Sequence, residues 1–342
     1  MELNASKSPQ QLRNPDLISE SGAPILELDT QKFLDGVNAA GGPPLYTLSY
    51  EEARKVLEGA QAGEILKPAV DIEDRIIQGG PTKEVSVRIF RPEGFKENLP
   101  VVIYFHGGGW VLGSKNTHER LLCELTAKTQ AAFVFVNYTP SPEAQFPVPI
   151  EEGYTAALYI AKHGKELGLD SSRMAVAGDS VGGNLATAVA LLAKDRADFE
   201  FAYQALFYPV TDANFETESY KQFAEGVWLT REAMKWFWDA YAPNPKDRQK
   251  VLASPLRATV NQLMHLPPTL VITDENDVLR DEGEAYAKKL TQAGVEVTAI
   301  RFEGTIHDFM MLNGLANTPA TISAIALASE KIKAALQKAP VH

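Results

Sequence analysis

Residues 174–184 read MAVAGDSVGGN. Met174–Ala177 is a continuous apolar run, Gly178-Asp179-Ser180-Val181-Gly182 is a G-x-S-x-G pattern, and Gly182–Lys194 has helical periodicity. A strand, an abrupt turn and a helix form the context in which this pattern presents a nucleophilic serine. The turn is so sharp that side chains two positions before and two after the serine would collide, so both must be absent. Ser180 then stands on a strained backbone with its hydroxyl projecting over the end of a sheet. With glycine at about 7% of residues, the bare pattern arises by chance in about one chain in ten of this length. The flanking strand and helix therefore carry the reading. The plainer alternative is a glycine-rich turn in which Ser180 only caps a helix.

Outward from that turn, apolar runs alternate with helical patterns. Val85–Phe90 alternates like a half-buried strand. Val101–Phe105, Ala132–Val136, Ala205–Tyr208 and Thr269–Thr273 are continuous apolar runs, as in strands buried on both faces, and Val295–Phe302 is a last strand candidate. Thr117–Thr129, Ile150–His163, Asp281–Ala293 and Ala320–Leu336 are helical. The alternation predicts an α/β fold with a mostly parallel sheet flanked by helices. Function in such a sheet lies in the loops beyond the carboxyl ends of the strands. Ahead of the first strand, Thr30–Asn38 is weakly helical, and Ser49 with Glu52 forms a capping box for a second helix.

Three strand ends hold the rest of the chemistry. His106-Gly107-Gly108-Gly109-Trp110 follows Val101–Phe105. Three successive glycines let backbone N–H groups approach a ligand and hold a developing oxyanion, with the N–H of Val181 as the remaining donor. Gly108–Gly113 also has the glycine spacing of a phosphate loop, but Ser114-Lys115 inverts the order that loop needs.

A serine nucleophile needs a base. Of six histidines, His106 belongs to the glycine loop, His118 and His163 fall in helices, His265 precedes a strand and His342 is terminal. His307 alone follows the last strand at the correct end. The orienting acid is expected after Thr269–Thr273, where Asp274, Asp277, Asp281 and Glu282 compete. Asp274 is close enough to the strand to serve only the turn, and Asp281 and Glu282 open the next helix. Asp277, mid-loop, is the choice. The order Ser180, Asp277, His307 is that of the α/β-hydrolases.

The 342 residues carry 44 acidic and 33 basic side chains, a net charge of −11. An acidic chain without a basic run is a poor partner for nucleic acid or an anionic membrane surface. The first twenty residues are polar and lack a signal-like apolar core, and no apolar stretch approaches the ~18 residues of a membrane span. A cytoplasmic protein is the default expectation. Cys123 is the lone cysteine and reads as a small buried hydrophobe. No His, Cys and carboxylate spacing of the HExxH kind occurs, so neither metal nor cofactor is expected.

Phe201–Tyr241 breaks the alternation. It holds 12 of the 30 aromatic residues, three of the four tryptophans among them, and ends in a capped amphipathic helix over Thr230–Tyr241. Either it fills a core beneath a long loop or it covers an apolar pocket. Trp110, Tyr208, Phe215 and Trp228 are the aromatic candidates for the wall of that pocket.

Together these segments resemble the hormone-sensitive-lipase-like carboxylesterases of the α/β-hydrolase superfamily. HGGGW at 106–110, GDSVGGN at 178–184, DVLRDEG at 277–283 and HDF at 307–309 match in order and context, as do YPVTD at 208–212, WLT at 228–230 and MKWFW at 234–238. The resemblance runs from about residue 70 onward. It implies Ser180 as nucleophile, Asp277 as acid and His307 as base. It implies oxyanion donors from Gly107, Gly108, Gly109 and Val181, with His106, Gly178, Asp179 and Gly182 supporting them. Val181 stands where the family more often has Ala, which narrows the acyl side.

One α/β-hydrolase unit over 1–342 is expected, its core at about 70–208 and 251–342. A helical cap is expected from about 1–50 and about 209–250. The expected activity is hydrolysis of small-molecule esters with short to medium acyl chains. An amidase or peptidase of the same fold and a non-catalytic ligand receptor are the rivals, and the sequence is compatible with a homodimer.

Overall fold

The computed structural model describes residues 24–95, 98–225 and 227–337. The polar stretch read at the amino terminus and His342 lie outside them. Eight strands form one sheet: β1 (Val70–Gln78), β2 (Glu84–Pro92), β3 (Leu99–Phe105), β4 (Ala132–Asn137), β5 (Leu169–Asp179), β6 (Tyr203–Phe207), β7 (Thr269–Asn276) and β8 (Val297–Ile306). Their order is β1-β2-β4-β3-β5-β6-β7-β8. β1 pairs antiparallel with β2, and β2 with β4; every other neighbour is parallel. The mostly parallel sheet read from the alternation is the sheet observed. β1 was not anticipated, because it is an exposed edge strand whose side chains show no alternation.

The helices are α1 (Leu28–Ala40), α2 (Tyr50–Ala60), α3 (Glu119–Thr129), α4 (Val148–His163), α5 (Val181–Arg196), α6 (Glu218–Gln222), α7 (Arg231–Tyr241), α8 (Val260–Leu263), α9 (Arg280–Gln292) and α10 (Pro319–Gln337). α3 packs on α10, α4 packs on α5, and α9 lies against β7 and β8. The apolar runs of β3, β4 and β6 are buried along nearly their whole length, as strands covered on both faces must be. The Ser49–Glu52 capping box starts α2, and Thr230 caps α7 through the Ala233 N–H. No described helix is long and apolar enough to cross a membrane.

The parallel order brings four strand ends together. β3 runs into the triple glycine, β5 into Ser180, β7 into Asp277 and β8 into His307.

Candidate active site

Ser180 sits between β5 and α5 with φ 55° and ψ −122°, a conformation that non-glycine residues adopt only when their surroundings force it. The forcing groups are visible. A Cβ at Gly178 would strike the Gly182 carbonyl, and one at Gly182 would strike the Phe105 carbonyl at the end of β3. The Ser180 N–H is held by the Phe207 carbonyl at 2.8 Å, and its own carbonyl accepts from Val210 at 3.1 Å. The elbow is thus fixed from both neighbouring strands.

Nε2 of His307 lies 2.9 Å from Ser180 Oγ, and Nδ1 lies 2.8 Å from Asp277 Oδ2. The second Asp277 oxygen accepts the Leu279 N–H at 3.1 Å. All three side chains are buried. Burial disfavours a charged imidazole, but Asp277, Asp308 and the hydrogen bond to Asp277 outweigh it and raise the His307 pKa to about 9. The order of the three residues and their chain of contacts are those expected from the sequence.

The glycine loop divides by role. Gly108 and Gly109, with φ of 101° and 63°, line a cavity with Ser180 and His307. Their N–H groups and that of Val181 donate to no acceptor among the described residues. Gly107 is packed on Asp179 instead, where a Cβ would meet the carboxylate. His106 is a buried structural residue. Its ring stacks between Phe135 and Tyr138, Nδ1 is 2.8 Å from the Gly107 carbonyl, and burial beside His118 lowers its pKa to about 3. The buried Asp179 accepts from Tyr104 at 2.7 Å and meets His118 Nε2 at 3.2 Å. Burial opposes its ionisation, yet the His118 and Tyr104 partners keep its pKa below the usual value. His118, read from sequence only as a helix residue, is therefore the prop of the motif's acid.

The α/β-hydrolase fold family matches over residues 102–311. The chain belongs to that family, in the group that includes the hormone-sensitive-lipase-like esterases. Carboxylesterase NlhH of Mycobacterium tuberculosis is 34% identical over 317 residues, covering 92% of this chain and 95% of that protein. The ethyl acetate hydrolase of Pseudomonas putida is 34% identical over 278 residues, covering 80% and 86%. Among solved structures, a thermostable esterase from Pseudomonas putida is 49% identical with a TM-score of 0.91, covering 93% of this chain and 99% of that one.

In this hydrolase the cavity over Ser180 measures about 320 Å³. Leu34, Val37, Leu45 and Tyr46 wall it from the amino-terminal segment, and Trp228, Met234 and Phe237 from the aromatic one. Of the four aromatic candidates, the structure places only Trp228 on that wall. Trp110 is fully buried and stacked on Tyr241 with centroids 4.1 Å apart. Tyr208 meets the His307 ring edge-on at 5.0 Å, and Phe215 packs on Tyr220 at 5.6 Å. Aromatic content alone does not distinguish a ring facing a cavity from one facing the core.

Five hydrogen bonds near the site were not read from sequence. Trp228 Nε1 donates to Asp308 Oδ2 at 3.0 Å, and the buried Arg120 donates to the carbonyls of Met310 and Met311 at 2.7 and 2.8 Å. Gln61, at the end of α2, donates to the Met311 carbonyl at 2.9 Å and accepts the Asn313 N–H at 2.8 Å. The carboxyl of Asp274, expected to serve the turn, makes no hydrogen bond among the described residues; it is buried beside Asp277 and His307, the one group of three or more potential metal ligands among those residues. Asp308 lies within the HDF tripeptide at 307–309. Nothing local signals the reach of Arg120 or Gln61 across 191 and 250 positions.

Proposed function

We propose that the protein is a serine carboxylic-ester hydrolase that works through an acyl-enzyme on short- to medium-chain esters. The observation that carries this reading is the continuous contact from Asp277 through His307 to Ser180 at the floor of an apolar cavity. Ser180 Oγ attacks the ester carbonyl carbon as His307 Nε2 takes its proton. The carbonyl oxygen becomes an oxyanion, which the free N–H groups of Gly108, Gly109 and Val181 are positioned to receive. Asp277 holds the imidazole by Nδ1 and offsets the charge it gains. The collapsing intermediate expels the alcohol, which takes the proton from Nε2. A water then repeats the sequence on the acyl-enzyme with the same base, releasing the acid and restoring Ser180.

The cap belongs to this reading. It comprises the amino-terminal segment to about residue 50 and about 209–250, laid over a core of about 70–208 and 251–342. A cavity of about 320 Å³ is near the lower end of small-molecule sites, which favours short and medium acyl groups over long ones. The test is a series of 4-nitrophenyl esters from acetate to palmitate, together with the matching anilides, with and without Ser180→Ala. Ester turnover that falls off at long chain length and vanishes in the variant is expected. Turnover of anilides over esters would make the protein an amidase, and no turnover of either would make it a receptor.

A further inference from the structure

Three positions before Asp277, near the end of β7, Asp274 is fully buried, and neither of its carboxyl oxygens has a partner among the described residues. One Asp274 oxygen, one Asp277 oxygen and one His307 ring nitrogen all lie within 4.8 Å of each other. A bare carboxylate in a dry site is costly, and two so close cannot both stay ionised cheaply. Asp277 has the imidazole and the Leu279 N–H to stabilise its charge; Asp274 has neither. The proton therefore resides on Asp274, whose pKa burial raises well above the usual carboxylate range, with Asp277 and Asp308 adding to the rise.

An ionisable side chain in such a place needs a reason. A buried acid without a hydrogen bond destabilises the fold, and an apolar residue would fill the position at lower cost. Asp274 caps no helix and binds no turn N–H. What it adjoins is the acid and the base of the triad.

On the triad roles proposed above, we infer that Asp274 is a reserve acid: it stays protonated beside Asp277, and where Asp277 is lost it releases its proton to solvent and accepts the Nδ1–H of His307. It is a positioning residue, since it acts through the imidazole and touches neither Ser180 nor the cavity wall. The geometry permits the exchange. An Asp274 oxygen already lies within 4.8 Å of a His307 ring nitrogen, so a movement of about 2 Å brings a carboxylate oxygen to hydrogen-bond distance of the imidazole. Truncation of Asp277 to alanine opens that space and also removes the like charge that discourages Asp274 from ionising.

The experiment is a double-mutant cycle on kcat for 4-nitrophenyl butyrate with Asp274→Asn, Asp277→Ala and both. Asp274→Asn is expected to cost the wild-type enzyme a few-fold, and to cost Asp277→Ala a further factor of about ten to one hundred, because only there does the second acid hold the imidazole. A purely structural Asp274 would lower both backgrounds by the same factor, and that result overturns the inference. Should the double variant fail to fold, proton NMR of Asp277→Ala alone decides. The strongly deshielded Nδ1 proton of a carboxylate-bound His307 persists if Asp274 takes over, and its loss overturns the inference. Failure of the hydrolase reading looks different: the wild type would then not turn over the ester, or Ser180→Ala would keep the turnover, whatever the outcome of the cycle.

Discussion

Asp308 Oδ1 lies 3.5 Å from His307 Nε2, while the other Asp308 oxygen accepts the indole N–H of Trp228. The proposed general base is thus flanked by two acids, Asp277 on Nδ1 and Asp308 near Nε2. Burial works against a proton on the ring, but the two acids prevail and raise its pKa to about 9. The base must be neutral to accept the Ser180 proton, so kcat/KM rises with pH through that value. Asp308→Asn removes one of the raising charges and keeps the acceptor for Trp228. The acidic limb of kcat/KM should move down by about one pH unit, the scale of a single nearby charge. A limb that stays in place would show that Asp308 does not act on the base.

Loss of the proposed triad members should be unequal. Ser180→Ala and His307→Ala remove a reacting atom, and a fall in kcat of order 10⁶ has precedent for each. Asp277→Asn keeps the shape but offers Nδ1 an amide that can fix the wrong tautomer, for a loss of about 10⁴. Circular dichroism should show all three folded. An Asp277→Asn enzyme near wild-type activity would remove Asp277 from its role.

The glycine loop, proposed to hold the oxyanion, and α7 are locked to each other at Gly109. A Cβ there would clash with the ring of Phe237, and φ is 63°, so Gly109→Ala is strained twice over. Overpacking of this kind costs about 1–3 kcal/mol, and a displaced oxyanion donor costs about 10²–10³ in kcat. Adding Phe237→Ala relieves the clash but not the backbone strain. Thermal melts of the single and double variants should therefore show partial recovery of stability. No recovery would mean that the strain lies in φ alone.

The legible parts of the molecule were those where one short segment carries both its element and its chemistry. Ser180 is marked by a turn that only glycines permit, and His307 and Asp277 by their places after strands. The parallel sheet followed from the continuous apolar runs, which need cover on both faces. β1 was not legible, because VDIEDRIIQ at an exposed edge has neither alternation nor a buried run. β5 was shortened for a similar reason: Leu169–Arg173 is mostly polar and is recruited by pairing with β3 across an irregular register. Arg120, Gln61 and the Trp228–Asp308 bond depend on which segments meet in space. Asp274 shows the same limit, since a carboxylate three positions from Asp277 looks like turn chemistry until its lack of a partner among the described residues is seen.

The last expectation concerns acyl length. Leu34 on α1 and Met234 on α7 line the same cavity from the two segments proposed as the cap. Deletion of the amino-terminal segment is a poor probe, because it is stitched to the core: Asn276 donates to the Ile25 carbonyl at 3.1 Å, and Glu27 donates to the Gly304 carbonyl at 3.0 Å. Removing it would disturb the strands that carry Asp277 and His307. Leu34→Ala is cleaner. It opens the cavity on the α1 side, and a buried leucine truncated to alanine costs about 2–5 kcal/mol of stability. Longer acyl chains gain the vacated space, while acetate loses nothing it touched. One added methylene in an apolar pocket is worth about 1–3 kcal/mol, so kcat/KM for octanoate relative to acetate should rise about tenfold or more. Leu34→Phe fills the same space and should shift the ratio the other way. If the ratio stays constant across wild type, Leu34→Ala and Leu34→Phe, α1 does not shape the acyl site, and the cap is the aromatic segment alone.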